Sequence, residues 1–480
     1  VPATPGLVEI RAEDRWLIPG LWDAHVHFAQ WADTLRRIDL VGTESAAAVL
    51  AEVAAYHAAR DRPGRPADGV VVGFGYRSAT WVEPPTVAAL DAVCGDTPVV
   101  LIAGDFHNGW LSSAALRLVG LPPRSGALQE NEWFAISEDL DRVLPSGGDR
   151  ALAHAQRHAA AHGVVGIVDM EFDRSFARWP ERVAAGHDLL RVRPATYLGG
   201  LDEVLAAGLR SGDRLDELGL VRMGSLKIIS DGSLNTRSAF CHEPYAATSG
   251  PAPTHPTLHQ GEIAEGAPRY GALNLDSTDL RAALTRAARG GLTVALHAIG
   301  DAAVDVGLDC FAATGASGSI EHAQLLTSEA VQRMAGLGLV ASVQPAHLLD
   351  DRDPTEACWP GRAHRCFAFR ELLDAGVSLA LGSDAPVARL DPWLAMAAAV
   401  HRSADERPPW VPEQAITAAD ALAASTDGHG TVGVSSPADL ALLDSDPLGI
   451  QEDSAAVAEH FRRLQVAVTI VGGRITHDVR

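Results

Sequence analysis

Residues 277–299 read STDLRAALTRAARGGLTVALHAI. The first part is amphipathic, with Ser277 or Thr278 as a candidate helix cap and Gly290 and Gly291 as the stop. The second part, LTVALHAI (292–299), is a short apolar run that ends near a histidine, the signature of a buried strand. The same alternation of short apolar run and amphipathic stretch continues along the chain from residue 164. The strand candidates are GVVGIVDM (163–170), RVRPATYL (191–198), RMGSLKII (222–229), LTVALHAI, GSIEHA (318–323), GLVASVQP (338–345) and VSLALGSD (377–384). Adding GLWDAHVH (20–27) brings the set to eight, and strand and helix units in that number imply an α/β fold, a closed (β/α)8 TIM barrel.

Two stretches depart from that rhythm. Residues 28–163 carry helix and strand signals of their own, ESAAAVLAEVAAYHAAR (44–60), GVVVGFGY (69–76) and PVVLIAG (98–104), and are too long for a loop. They are expected to form an α/β insertion after strand 1 that covers the barrel mouth. Residues 230–276, rich in Gly, Pro, Ser and Thr, suggest a lid. At the chain ends, VEIRAEDRWLIPG (8–20), TVGVSSPADLALLDSD (431–446) and LQVAVTIVGGRI (464–475) read as short strands that would make a small β-sandwich from both termini. The expected division is therefore 1–19 with 430–480, 20–27 with 164–429, and the insertion 28–163.

Composition narrows the function classes. Apolar residues make up 47% and charged residues 21%, with no uncharged apolar run of membrane-spanning length. The balance of 39 basic against 61 acidic residues gives a net charge of −22, a poor match to a nucleic-acid backbone. The 5 cysteines are odd in number and lack a CxxC pair, so no disulfide framework or zinc finger is expected and a reducing, cytoplasmic setting is. The chain opens on Val1 without the basic and apolar regions of a secretory leader, which reads as a trimmed start.

In a barrel of this type chemistry gathers at the C-terminal rim of the strands. There the candidate strands carry His25 and His27, Lys227, His297, His322 and Asp384. Residues two apart on a strand share a face, so His25 and His27 can both point inward. Any one of these has an ordinary reading, His as a rim residue, Lys227 as a partner of Asp231, Asp384 as a helix cap. As a set they would be costly to bury unless one or two divalent cations neutralised them.

WLIPGLWDAHVHF, SLKIISDGSL, LHAIGDAAVD, IEHAQ, SVQPAH and LGSDAPV resemble, in order, the motif series of the amidohydrolase superfamily and of its YtcJ-like branch, which is related to N-substituted formamide deformylase. The resemblance runs from about Trp16 to Asp446. It implies a barrel with a small β-sandwich and a dinuclear centre: His25, His27 and Asp384 on one metal, His297 and His322 on the other, and a carboxylated Lys227 bridging both. The metals implied are one or two Zn2+, with Mn2+ or Fe2+ as alternatives, and CO2 enters as the lysine carbamate. A free lysine is cationic and repels a metal, whereas its carbamate is an anionic two-oxygen ligand. Asp384 would act as catalytic proton acceptor and donor in hydrolysis of an amide, formamide or cyclic amide.

The segment GDFHNGW resembles the branch's stretch that points a histidine at the substrate, which makes His107 and Trp110 candidate substrate contacts, and His347 at the end of the seventh strand is a third. Asn235 stands where a smaller residue is expected. Competing readings are a mononuclear aminohydrolase, disfavoured because AIGDAAVD after His297 offers aspartates and no glutamate, and a catalytically silent metabolite-binding barrel, disfavoured because no ligand type is missing. A serine hydrolase lacks its GxSxG elbow. The expected partner is a small molecule, with a homodimer as the expected assembly.

Overall fold

The computed structural model describes residues 11–480 apart from 36, 61–68, 77, 79–80, 105–107, 130, 137–139, 141–146, 173, 236, 247–268, 405, 435 and 451–452. Its strands, in chain order, begin with β1 (Trp16–Pro19) and β2 (Leu21–Val26). Next come β3 (Ile38–Asp39), β4 (Val71–Tyr76), β5 (Val99–Ala103), β6 (Asn108–Leu111) and β7 (Leu128–Gln129). Then come β8 (Val164–Asp169), β9 (Arg191–Pro194), β10 (Thr196–Tyr197), β11 (Leu226–Ile229), β12 (Val294–Ala298), β13 (Gly318–His322), β14 (Val340–Val343) and β15 (Leu379–Leu381). The chain finishes with β16 (Leu440–Leu443), β17 (Val466–Val471) and β18 (Arg474–Asp478).

The molecule is mixed α/β with parallel sheets. A three-stranded sheet runs β2-β8-β9 and a six-stranded sheet runs β10 through β15 in sequence order, every pair parallel. Parallel bridges Val192–Val221 and Val26–Ala385 place strand 9 beside the segment that leads to β11, and β2 beside the residues after β15. All eight apolar runs singled out in the sequence contain a parallel strand, and RVRPATYL divides into β9 and β10. These strands are buried on both faces, as parallel strands under helices are.

Helix 277–290 shows how the local signals act. Its buried face is Leu280, Ala283, Leu284 and Ala287, and Gly291 ends it at φ 76°. The cap is Asp276, one residue before the expected Ser277, because its carboxylate accepts from both the Thr278 and Asp279 amides.

Residues 28–163 hold a five-stranded sheet of order β3-β4-β5-β6-β7, with parallel and antiparallel pairs. From the chain ends comes one four-stranded antiparallel sheet, β1-β16-β17-β18, whose Gly472 and Gly473 turn at φ 58° and 80° joins β17 to β18. A second layer of the expected sandwich is not found among the described residues, and Val8–Ile10 lie outside them. Of the expected lid, residues 247–268 also lie outside. Among the described residues no helix is long and apolar enough to cross a membrane. The 5 cysteines are buried and unbridged.

Candidate metal centre

Sheet register decides which side chains meet. Ile229 pairs with His297, His297 with Glu321, and Glu321 with Ser342, so these residues share one face, joined by Lys227 two positions before Ile229. Strict alternation would send His322, next to Glu321, to the opposite face. Instead His322 takes φ 69° and Ala323 φ 44°, which ends the strand and turns the imidazole in beside His297, ring centroids 4.5 Å apart. Left-handed backbone at residues other than glycine costs about 1 kcal/mol or more each and tends to gather at functional sites. Asp384 is a further case at φ 55°, its amide donating to the His25 carbonyl at 2.7 Å.

His25 is 1% exposed at the end of β2, and His27 follows as the residue before helix Phe28–Thr34. That helix is tied down from β8: Asp169 accepts from the Phe28 amide at 3.1 Å and from the Trp179 indole at 2.6 Å, and Glu171 accepts from the Gln30 amide and side chain. His27 is thereby aimed from both sides. His25 Nε2 and His27 Nε2 each lie 3.5 Å from Asp384 Oδ1, beyond ordinary hydrogen-bond length. Lys227 Nζ lies 3.4 Å from His25 Nε2. His347, the first residue of helix His347–Cys358, places Nε2 at 3.9 Å from Asp384 Oδ2. His297 Nε2 faces the Gly232 carbonyl at 3.2 Å and Asp231 Oδ1 at 3.5 Å.

Burial governs the charge states. It holds the His25 and His322 imidazoles well below their ordinary range and takes His27 and His297 down to about 3, so all four are neutral with lone pairs to offer. Burial also lowers Lys227, opposed by Glu321 and Asp384, and pushes the Asp384 carboxyl up to about 7 against the pull of Lys227. The donor set fits a divalent cation. The ligand atoms of His25, His27 and Asp384 lie within 4.8 Å of one another, as do those of His322, His347 and Asp384, converging without bonding each other.

A cavity of about 360 Å³ opens over these groups. Phe172 and Tyr197 form an aromatic wall, Phe172 stacking on His27 with centroids 5.2 Å apart, and Leu234, Gln324, Asp350 and Val387 line other sides. Asn235, noted in the sequence, also lines it.

Of the expected substrate contacts, His347 lines the cavity, whereas His107 lies outside the described residues. Trp110 requires correction. It is 0% exposed in a core of its own sheet, paired with Leu101 across β5 and β6, and its indole N–H donates to the Thr86 carbonyl at 2.9 Å. Its whole surface is taken up by packing. Trp110→Ala is therefore expected to cost about 3–5 kcal/mol in chemical denaturation. KM should stay unchanged in the folded fraction, and a raised KM with intact stability would restore it to the substrate.

The sequence profile of the Amidohydrolase family matches residues 8–477. The chain belongs to the amidohydrolase family. It is 26% identical to N-substituted formamide deformylase of Arthrobacter pascens over 537 aligned positions, 99% of this chain and 91% of that protein. It is 23% identical to the putative amidohydrolase YtcJ of Bacillus subtilis, again over 99% and 91%. Protein LONG AFTER FAR-RED 3 of Arabidopsis thaliana is 28% identical over 88% of this chain and 75% of its own length. Among solved structures, an uncharacterized metal-dependent hydrolase from Pyrococcus horikoshii OT3 shares the fold with a TM-score of 0.71 at 24% identity, covering 92% of this chain and 88% of that one. A second, from Pyrococcus furiosus, gives 0.69 at 25%, over 91% and 89%.

One residue of this amidohydrolase centre escaped the sequence reading. Glu321, 1% exposed, sets Oε2 2.6 Å from His25 Nδ1, and its other oxygen accepts from the Ser319 hydroxyl. A carboxylate there keeps the proton on Nδ1 and leaves Nε2 free to ligate. The signal was present in IEHA, since alternation puts Glu321 rather than His322 on the His297 face. Glu321→Gln is expected to weaken cation affinity about 10–100-fold in chelator competition while the metal-free protein melts at nearly its original temperature. Unaltered affinity would refute the assignment.

Proposed function

We propose that this amidohydrolase cleaves a carbon–nitrogen bond other than a peptide bond, in an amide, formamide or cyclic amide of a small molecule. The single observation that carries the reading is the convergence of His25, His27 and Asp384 at one cavity, with the neutral imidazoles of His297 and His322 and the Glu321 carboxylate supplied by further strands. The similarity to N-substituted formamide deformylase over 99% of the chain favours a C–N bond. A bound divalent cation would lower the pKa of water toward neutrality and polarise the substrate carbonyl. His25 and His27 would hold it, with Asp384 as anionic partner, and Lys227 as its carbamate would add a two-oxygen bridge. Zn2+ suits the nitrogen-rich set best, with Mn2+ or Fe2+ as alternatives.

The residues then have separate tasks. Asp384 takes the proton released by the attacking water and delivers it to the leaving amine. Phe172 and Tyr197 present the apolar wall against which the acyl or amine substituent packs, and the tying of Tyr197 Oη to the Met170 carbonyl at 2.7 Å fixes that wall. His107 remains a candidate substrate contact by its motif. We place the chemistry in a (β/α)8 barrel of residues 20–27 and 164–429, the chain-end domain in 1–19 and 430–480, and the insertion 28–163 over the mouth, where Gly104 reaches the cavity. The protein in this reading is a cytoplasmic enzyme, homodimeric, with no nucleic-acid partner.

The test is a hydrolysis screen of N-formyl, N-acyl and cyclic amides with protein loaded with Zn2+ or Mn2+, alongside metal analysis. Turnover of at least one class, abolished by chelation, is expected. A protein that takes up no divalent cation, or turnover untouched by chelators, would overturn the reading.

A further inference from the structure

We propose that Gln324 sets the substrate specificity of this site: its side-chain oxygen, turned to the cavity by Asp351, accepts a hydrogen bond from an amide N–H of the substrate. The site then selects amides that carry an N–H, open-chain or cyclic, over N,N-disubstituted ones. The inference rests on the hydrolase reading above and concerns a residue outside the metal centre.

Gln324 follows the end of β13, and Asp351 lies on helix His347–Cys358 one turn after His347, on the same helix face. Both line the cavity, Gln324 at 3% exposure and Asp351 at 9%. Gln324 Nε2 donates to Asp351 Oδ2 at 3.0 Å. A carboxylate accepts and has no proton to give, so the nitrogen of the glutamine amide, and not its oxygen, must face Asp351. From the loop after β11, Asn235 Nδ2 approaches the other oxygen, Asp351 Oδ1, at 3.5 Å. Asp351 thus sits between two carboxamides and orients the buried one.

That orientation leaves Oε1 on the far side of the amide, and among the described residues nothing donates to it. Buried acceptors nearly always have a partner, and one that borders a cavity without a protein donor is completed by what binds there. The backbone holds the side chain in place. The Gln324 carbonyl accepts from the Phe367 amide at 2.9 Å, and the next amide, that of Leu325, donates to the Ile299 carbonyl at 3.0 Å. Phe172 and Tyr197 reach the cavity from β8 and β10, whereas Gln324 comes from β13, three places along the sheet from β10. Apolar wall and acceptor are therefore supplied by different strands, and a ligand uses both when it carries an apolar substituent and an N–H. A doubly substituted nitrogen would leave Oε1 desolvated and unpaired, a loss of roughly 10–100-fold.

The experiment pairs each N–H amide of the hydrolysis screen with its N-methyl derivative, anchored on N-cyclohexylformamide and N-cyclohexyl-N-methylformamide, using Zn2+-loaded protein. The quantity read is the ratio of kcat/KM within a pair, or of the partner's inhibition constant to KM where the partner is not hydrolysed. Wild type is expected to favour the N–H member by about 10-fold or more. Gln324→Met keeps the length and bulk of the side chain without its amide, so steric exclusion of the methyl group persists and the hydrogen-bonded part of the ratio, about 10-fold, is lost. Asp351→Asn offers Gln324 a donor, which lets the glutamine amide turn its nitrogen to the cavity, and the ratio should fall there too. General damage to the fold would depress both members of a pair alike and leave the ratio where it was, and cation content per chain checks that the metal centre survives. An unchanged ratio in Gln324→Met, or no preference in wild type, would overturn the assignment and leave the hydrolase reading standing. An unchanged ratio in Asp351→Asn would overturn the orienting role of Asp351. Wild type that hydrolyses no pair would overturn the hydrolase reading and this assignment together.

Discussion

Asp384→Asn is expected to lower kcat/KM by roughly 10²–10⁴-fold on any amide the wild type hydrolyses, the range for removal of a positioned proton-transfer group. Asparagine has nearly the same shape as aspartate and is among the residues that tolerate a left-handed backbone, so φ 55° and the amide bond to the His25 carbonyl survive the change. What disappears is the negative charge and the ability to take a proton. Steady-state kinetics with parallel metal analysis separates the two losses. Metal retained with turnover gone assigns Asp384 chiefly to proton transfer, and metal lost with it assigns the charge to holding the cation. Activity within tenfold of wild type would remove Asp384 from the chemistry altogether. Because the carboxyl is buried, with its acid strength already weakened toward neutrality, a cation beside it also restores the anionic form that proton transfer needs.

How much of this centre could be read in the sequence depends on what each feature rests on. The eight strands were legible because a parallel strand under helices is an uninterrupted apolar run, and runs such as VALHA and LKII are bounded by glycine or polar turns. The candidacy of His25, His297 and His322 came from the ends of those runs, and that of Lys227 from its place within one. Side-chain direction did not follow, since it depends on register and on φ. Glu321 stands next to His322, and only the left-handed turn at His322 brings both inward. His347 was seen at the rim, yet its proximity to Asp384 arises from where a helix begins after β14 and could not be counted from spacing. Trp110 was misjudged for the opposite reason. GDFHNGW was read by its likeness to a substrate-facing stretch, whereas antiparallel pairing of β5 with β6 carries Trp110 into a core. Tertiary pairing decided the side chain's direction there.

Lys227 separates the two accounts of its charge by substitution with arginine and with glutamate. The side chain is 2% exposed and its Nζ lies 3.4 Å from His25 Nε2. As an ammonium it would repel a cation held by His25; as a carbamate it would present an anion to the same place. Lys227→Arg preserves the positive charge and does not form the carbamate, so it is expected to lose bound cation and to lower kcat/KM on the order of 10³-fold, about 4 kcal/mol of transition-state stabilisation. Lys227→Glu supplies a shorter side chain of the sign the carbamate would have, and is expected to retain cation with reduced turnover. If the ammonium were the working form, the order would reverse and arginine would be the better substitute. The carbamate account adds a second signature, because stripping CO2 and bicarbonate during metal loading should reduce cation uptake in wild type and leave Lys227→Glu unaffected. Metal content of the three proteins, measured with and without added bicarbonate, decides between them: equal uptake by wild type in both conditions, together with arginine above glutamate, would rule out the carbamate. Whatever the substrate, burial and the sign of the charge next to His25 determine whether a cation can enter at all.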